Sequence, residues 1–161
     1  MKLFQLLKMK VNTLKYSQIL PISLDRAWNF LSSPKNLKLI TPKSMNFNIT
    51  EWDNRDSYPG QIIQYTVEPI FGIKLKWVTE ITHLQKNKYF VDEQRFGPYS
   101  FWHHKHFIKE VEGGVLMEDI IHYKLPYGFF GELINIFFVR KKLKEIFSYR
   151  KNELIKIFQN T

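Results

Sequence analysis

The segment from Phe90 to Gly128, FVDEQRFGPYSFWHHKHFIKEVEGGVLMEDIIHYKLPYG, constrains this chain more than any other. It holds three strand-like runs joined by a Gly97-Pro98 turn and a Gly113-Gly114 hairpin, and it ends in a Pro126-Tyr127-Gly128 corner. Connections this short force adjacent strands to pair antiparallel. Runs at 12–20, 46–53, 61–69, 73–85, 88–96, 101–111 and 114–125 read as strands, with Tyr58-Pro59-Gly60, Phe71-Gly72 and Lys86-Asn87 as further turns. Residues 130–158 then read as one helix. Leu133, Ile136, Val139, Leu143, Ile146, Phe147, Leu154 and Phe158 form its apolar stripe, and Lys141, Lys142, Glu145, Asn152, Glu153 and Lys156 lie outside it. That stripe needs an apolar surface, and the concave side of the sheet is the one large enough. The expected fold class is α+β: a curved antiparallel sheet of six or seven strands wrapped around a long C-terminal helix.

Two short helices are expected after the first strand. Ser23 is a suitable N-cap for the first, and Leu24, Ala27, Trp28 and Leu31 give it one buried side. Ser33-Pro34 opens the second and Thr41-Pro42 stops it. The 161 residues suit a single domain, 12–161, preceded by a flexible extension, 1–11. Cysteine is absent, which excludes disulfides, thiolate metal sites and cysteine nucleophiles. The net charge of +9 is scattered and accompanies no nucleic-acid motif, so no nucleic-acid partner is expected. Lys8 and Lys10 break the opening apolar patch, and no run is long enough to span a bilayer; the expected location is cytoplasmic. Phe129, Phe130, Phe137 and Phe138 beside Arg140, Lys141, Lys142 and Lys144 resemble a membrane-surface patch. Core positions for these aromatics are preferred, with membrane docking kept as a minor option.

If Glu112-Gly113 forms a two-residue hairpin turn, His106 pairs with Asp119, His104 with Ile121 and Trp102 with Tyr123. One face then carries Trp102, His104, His106 and Ile108 opposite Tyr123, Ile121, Asp119 and Met117, and it is assigned to the interior. His104-x-His106 projects two imidazoles to one side, a partial metal site with Asp119. No third clearly convergent ligand is visible, so a hydrogen-bonded His106–Asp119 pair is expected, with no metal and no other cofactor. In Asp92-Glu93-Gln94-Arg95, Glu93 and Arg95 share one face, Asp92 and Gln94 the other. If Glu93 points inward it joins the candidate site, with Arg95 or an imidazole to neutralise it; a solvated edge of the sheet is the alternative for this run. Arg150 falls inside the helix stripe, where its guanidinium must snorkel or find an anion, with Asp119 or Glu93 as protein partners.

The chain resembles the START-like, helix-grip superfamily, also called SRPBCC. Three pieces carry the likeness: Trp28 to Pro34 with Asn36-Leu37 and Ile40-Thr41-Pro42; Phe90 to Gln94 through Gly97-Pro98-Tyr99 to Trp102-His103-His104 and His106; and Asp119 through Tyr123 to Gly128, with Arg150 near the end. Within the superfamily these pieces look like an uncharacterised bacterial branch, related to polyketide cyclase/dehydrase-like and cell-division-inhibitor-labelled domains. The resemblance implies a deep cavity between sheet and helix for a lipid, isoprenoid or polyketide-like molecule. Combined with the face assignment it makes Trp102, His104, His106, Asp119, Tyr123, Glu93, Arg150, Ile121 and Met117 the expected ligand-binding residues. Binding of an apolar small molecule without independent catalysis leads. A cyclase or dehydratase using His106 and Asp119 as an acid–base pair, and a partner or membrane-surface module, stay open as alternatives.

Overall fold

Residues 11–69 and 72–159 of the chain are described by a computed structural model. Except for Val11, the expected N-terminal extension lies outside them, as does Phe71 of one expected turn. Seven strands form one antiparallel sheet: β1 (Asn12–Leu20), β2 (Asn48–Glu51), β3 (Gln61–Val67), β4 (Leu75–Gln85), β5 (Tyr89–Phe96), β6 (Phe101–Val111) and β7 (Gly114–Lys124). Their spatial order is β1-β7-β6-β5-β4-β3-β2. Every neighbouring pair other than β1–β7 is consecutive in sequence and antiparallel. Between β1 and β2 come helix α1 (Leu24–Leu31) and two 3-10 turns, Pro34–Ile40 and Lys43–Met45. The Ser23 hydroxyl accepts from the Arg26 amide at 3.4 Å, the cap expected there.

The β6–β7 hairpin has Val111 facing Gly114 and His106 facing Asp119, so the expected register is present throughout. Alternation then sends Trp102, His104, Ile108, Met117, Asp119, Ile121 and Tyr123 into the interior. Gly114 lies so close to the carbonyl of Leu20 that a Cβ would collide with it. This contact ties the hairpin to the end of β1.

The C-terminal helix departs from one regular stripe. It consists of α2 (Gly128–Ile134), a π turn (Asn135–Val139) and α3 (Arg140–Gln159). The π turn accommodates one extra residue, so the buried positions run Gly131, Asn135, Val139, Leu143 and Phe147 in steps of four. Leu133 and Ile136, expected in the stripe, are therefore exposed, as are Phe129, Phe130, Phe137 and Phe138. The expected core placement of those four aromatics is corrected by the same phase shift. Two clusters of side chains sit between sheet and helix. One gathers around Trp77, Trp102, Tyr123 and Phe147, the other around Leu20, Trp28, Phe90 and Leu154.

Candidate ligand cavity and its carboxylate–imidazole floor

A cavity of about 230 Å³ lies between the concave sheet face, the first 3-10 turn and α3. Its sheet wall follows the period-two rule: Ile63, Tyr65 and Val67 from β3, Leu75, Trp77, Thr79 and Ile81 from β4. Leu143, Ile146 and Phe147 line it from α3, and Ser57, Pro98 and Tyr99 border it from two loops. The lining is predominantly aromatic and aliphatic, and its carboxylates and imidazoles are gathered in one place.

That place is formed by β5, β6 and β7. Asp92 stands directly across from His104, and Phe90 across from His106, in the β5–β6 ladder. His106 stands across from Asp119 in the next. Three adjacent strands thus deliver two carboxylates and two imidazoles to one spot. His104 Nε2 and Asp119 Oδ1 are hydrogen-bonded at 2.9 Å, and His106 Nδ1 lies 2.8 Å from the same oxygen. On the opposite side, His106 Nε2 and Asp92 Oδ2 are hydrogen-bonded at 2.8 Å, and His104 Nδ1 lies 3.4 Å from that oxygen. Trp102 Nε1 donates to Asp92 Oδ1 at 3.3 Å. Packing holds the rings: Phe90 stacks on His106 with centroids 4.1 Å apart, and Trp102 meets His104 edge-on.

Electrostatics follows from burial and pairing. Asp119 is only 1 % exposed, and burial alone would raise its pKa. The hydrogen bonds and charge of both imidazoles reverse that effect, and its carboxyl is held well below the usual range. Asp92 follows the same pattern and is also held low. Burial, reinforced by the neighbouring ring, pushes His104 down. For His106 burial opposes the charge, but Asp119 and Asp92 together outweigh it and raise it.

Of the residues expected at the site, Trp102, His104, His106, Met117, Asp119 and Arg150 line the cavity. Ile121 and Tyr123 are fully buried behind it, and the Tyr123 hydroxyl donates to Asn135 Oδ1 at 2.8 Å. Glu93 is a correction. It lies on the outer face, where Arg95 (3.4 Å), His103 (3.9 Å) and the Thr82 hydroxyl surround its carboxylate. Asp92 occupies the inward position instead, because it shares parity with Phe90. The expected His106–Asp119 contact exists, but as one side of a four-membered cluster. Arg150 forms no ion pair with a described residue; its guanidinium lies over the Phe147 ring at 4.8 Å, and its Nε is buried without a hydrogen-bond partner. Trp77 Nε1 is in the same condition. Trp77 went unrecognised in the sequence, although Leu75-x-Trp77-x-Thr79-x-Ile81 carries the alternation that places it inward.

No family model matches this chain, and no curated protein does. Solved structures do. Protein Ms6760 from Mycobacterium smegmatis is similar at 18 % identity over 94 % of this chain and 98 % of its own, with a TM-score of 0.68. A START superfamily protein from the same organism is similar at 13 % identity over 92 % and 97 %, again with 0.68. Ara h 8.0201 is similar at 12 % identity over 91 % and 99 %, with 0.61. At such identities the likeness concerns the fold alone. The chain has the START-like, helix-grip fold.

Proposed function

We propose that this chain binds a compact apolar or amphiphilic molecule, of lipid, isoprenoid or polyketide character, between sheet and helix as a carrier or sensor. The observation that carries this is a largely apolar cavity whose wall holds two buried donors, Arg150 Nε and Trp77 Nε1, with no acceptor among the described residues. A buried unsatisfied polar group costs about 1–3 kcal/mol, which an acceptor on a bound molecule would offset. A carboxylate or carbonyl head facing Arg150, with a short apolar body among the aromatics, fits both features. The volume of about 230 Å³ is below the roughly 300–1,000 Å³ of drug-sized sites, which favours a single compact chain or ring over a two-chained lipid. Acid–base turnover is less well supported. Every ring nitrogen of His104 and His106 faces a carboxylate oxygen, so neither ring offers a free nitrogen to a substrate.

Titration with decanoate, followed by tryptophan fluorescence, tests the proposal, because Trp77 and Trp102 both line the cavity. Saturable quenching that Arg150→Met weakens supports it. Absence of a saturable change with decanoate and with its uncharged analogue decanol opposes it.

A second activity is favoured by the exposed aromatics of the C-terminal helix. Phe130 is 70 % and Phe137 67 % exposed, with Ile134, Ile136 and Phe138 beside them. Arg140, Lys141 and Lys144 are exposed on the adjoining turns. Apolar rings flanked by cations suit an anionic lipid surface. Docking there would place the cavity near a source of apolar ligand. Among the described residues no helix is long and apolar enough to cross a membrane. Co-sedimentation with phosphatidylglycerol-containing vesicles, lost in Phe130→Glu/Phe137→Glu, is the expected result. Equal recovery of both proteins with the vesicles would exclude this surface.

A further inference from the structure

At the cavity floor the count of protons does not match the count of contacts. Four ring nitrogens each approach a carboxylate oxygen: two meet Asp119 Oδ1 at 2.9 and 2.8 Å, and two meet Asp92 Oδ2 at 2.8 and 3.4 Å. An ionised carboxylate has only acceptors, and a neutral imidazole has one N–H. Two neutral rings can therefore satisfy two of the four contacts. The other two set lone pairs against lone pairs unless a further positive charge, a second ring proton or a metal ion, supplies the difference.

Each carboxylate sets one oxygen against a nitrogen of both rings, and burial tells the two sides apart. The Asp119 side chain is 1 % exposed and the Asp92 side chain 17 %, so an ion entering from the cavity meets the Asp92 side. We propose that a divalent transition-metal ion binds between His104 Nδ1, His106 Nε2 and Asp92 Oδ2. One ligand atom from each of the three residues lies within 4.8 Å of the other two, and Asp92 Oδ2 lies 3.4 Å from His104 Nδ1 and 2.8 Å from His106 Nε2. Ligand atoms around a tetrahedral zinc, bonded at about 2.0–2.2 Å, stand roughly 3.3 Å apart, so the 2.8 and 3.4 Å edges require only small rotations. The supporting shell is also present. Trp102 Nε1 holds Asp92 Oδ1 and leaves Oδ2 to the ion. With the ion bound, both rings would carry their protons on the outer nitrogens, His104 Nε2 and His106 Nδ1, which Asp119 Oδ1 faces at 2.9 and 2.8 Å, as carboxylates do behind ligating histidines. Two imidazoles and one carboxylate suit zinc, iron(II) or cobalt(II) better than magnesium or calcium. All three ligand residues line the cavity, so a further coordination position faces whatever enters it. The site does not depend on the apolar-ligand proposal.

Cobalt(II) titration of chelator-treated protein, followed by its visible d–d absorption, is the test. A single ion per chain is expected, with affinity reduced by at least about tenfold in Asp92→Asn and in His106→Gln, and by about 10–100-fold in Asp119→Asn. Glu93→Gln and His122→Gln should bind as the parent does, since His122 pairs with His103 on the outer face that carries Glu93. Binding unchanged in all the cavity variants would put the ion elsewhere and overturn the proposal. Should those variants misfold, zinc titration of the 15N-histidine-labelled parent decides. Shifts at His104 Nδ1 and His106 Nε2 support the site. Doubly protonated rings that zinc does not perturb would show that protons supply the missing charge, and would overturn it.

Discussion

Asp92 Oδ2 lies 2.8 Å from His106 Nε2, and this contact links a carboxylate on β5 to an imidazole on β6 inside a largely apolar cavity. The pair binds the middle of the sheet together at the point where the cavity interrupts its packing. Asp92→Asn keeps the shape but removes the charge facing two rings, and should cost about 1–3 kcal/mol in urea unfolding. Glu93→Gln, one position along and outside, should stay within about 1 kcal/mol of the parent, as surface pairs do. Equal losses in the two variants would contradict the assignment of faces.

Arg150 gives a prediction with opposite signs for stability and binding. Its Nε is buried with no hydrogen-bond partner, so Arg150→Met should stabilise the empty protein by about 1–3 kcal/mol while weakening its affinity for a carboxylate ligand. Chemical denaturation and decanoate titration on the same variant check both. A stability loss together with unchanged affinity would assign Arg150 to packing.

Gly131 packs tightly against Leu125 and Pro126, the corner that joins β7 to the C-terminal helix. A Cβ there would collide with the Pro126 carbonyl and come within 3.3 Å of Leu125 Cβ. Gly131→Ala should therefore destabilise by about 1–3 kcal/mol despite alanine's better helix propensity. Ile136→Ala, exposed on the same helix, should change stability by no more than about 0.5 kcal/mol. Urea midpoints compare them directly, and a neutral Gly131→Ala would mean that α2 is free to shift.

Alkaline stability should report two half-buried tyrosines that line the cavity, Tyr65 and Tyr99. Burial keeps the hydroxyls of Tyr65 and Tyr99 protonated well above the ordinary value of 10.0. Below that value both states carry the proton and stability does not respond. Above it the unfolded chain ionises while the folded one does not, so the unfolded state binds fewer protons and stability falls as pH rises. Melting temperatures measured from about pH 9 to 11 should drop, and less steeply in Tyr65→Phe/Tyr99→Phe. An identical slope in the double variant would place the titration elsewhere.

The β6–β7 hairpin was legible in the sequence because a two-residue turn fixes register, and register fixes which residues share a face. The β5–β6 connection was not. A two-residue turn at Gly97-Pro98 would pair Glu93 with Trp102 and point Glu93 inward. The actual ladder pairs Glu93 with His103, one step away, and that step exchanges the faces of Asp92 and Glu93. The shift comes from a wider loop clamped by Gln94, whose side chain both accepts from the Tyr99 amide and donates to its carbonyl. Turn residues alone do not announce such a clamp. The helix stripe failed for a related reason: from Leu143 onward a 3.6-residue period finds the buried residues, but the π turn before it shifts Leu133 and Ile136 outward. Nothing in Asn135-Ile136-Phe137-Phe138-Val139 marks a π turn by composition; Asn135, which accepts from Tyr123, is its single polar anchor.

Native mass spectrometry of protein purified without detergent, with organic extraction of whatever mass it carries, tests the central claim most directly. A stoichiometric apolar or amphiphilic adduct is expected, displaced when Ile146→Trp fills the helix wall of the cavity. Its extracted mass should be that of a compact single-chain or single-ring molecule. A bare protein mass that stays bare after incubation with a lipid extract, or an adduct retained in full by Ile146→Trp, would contradict it.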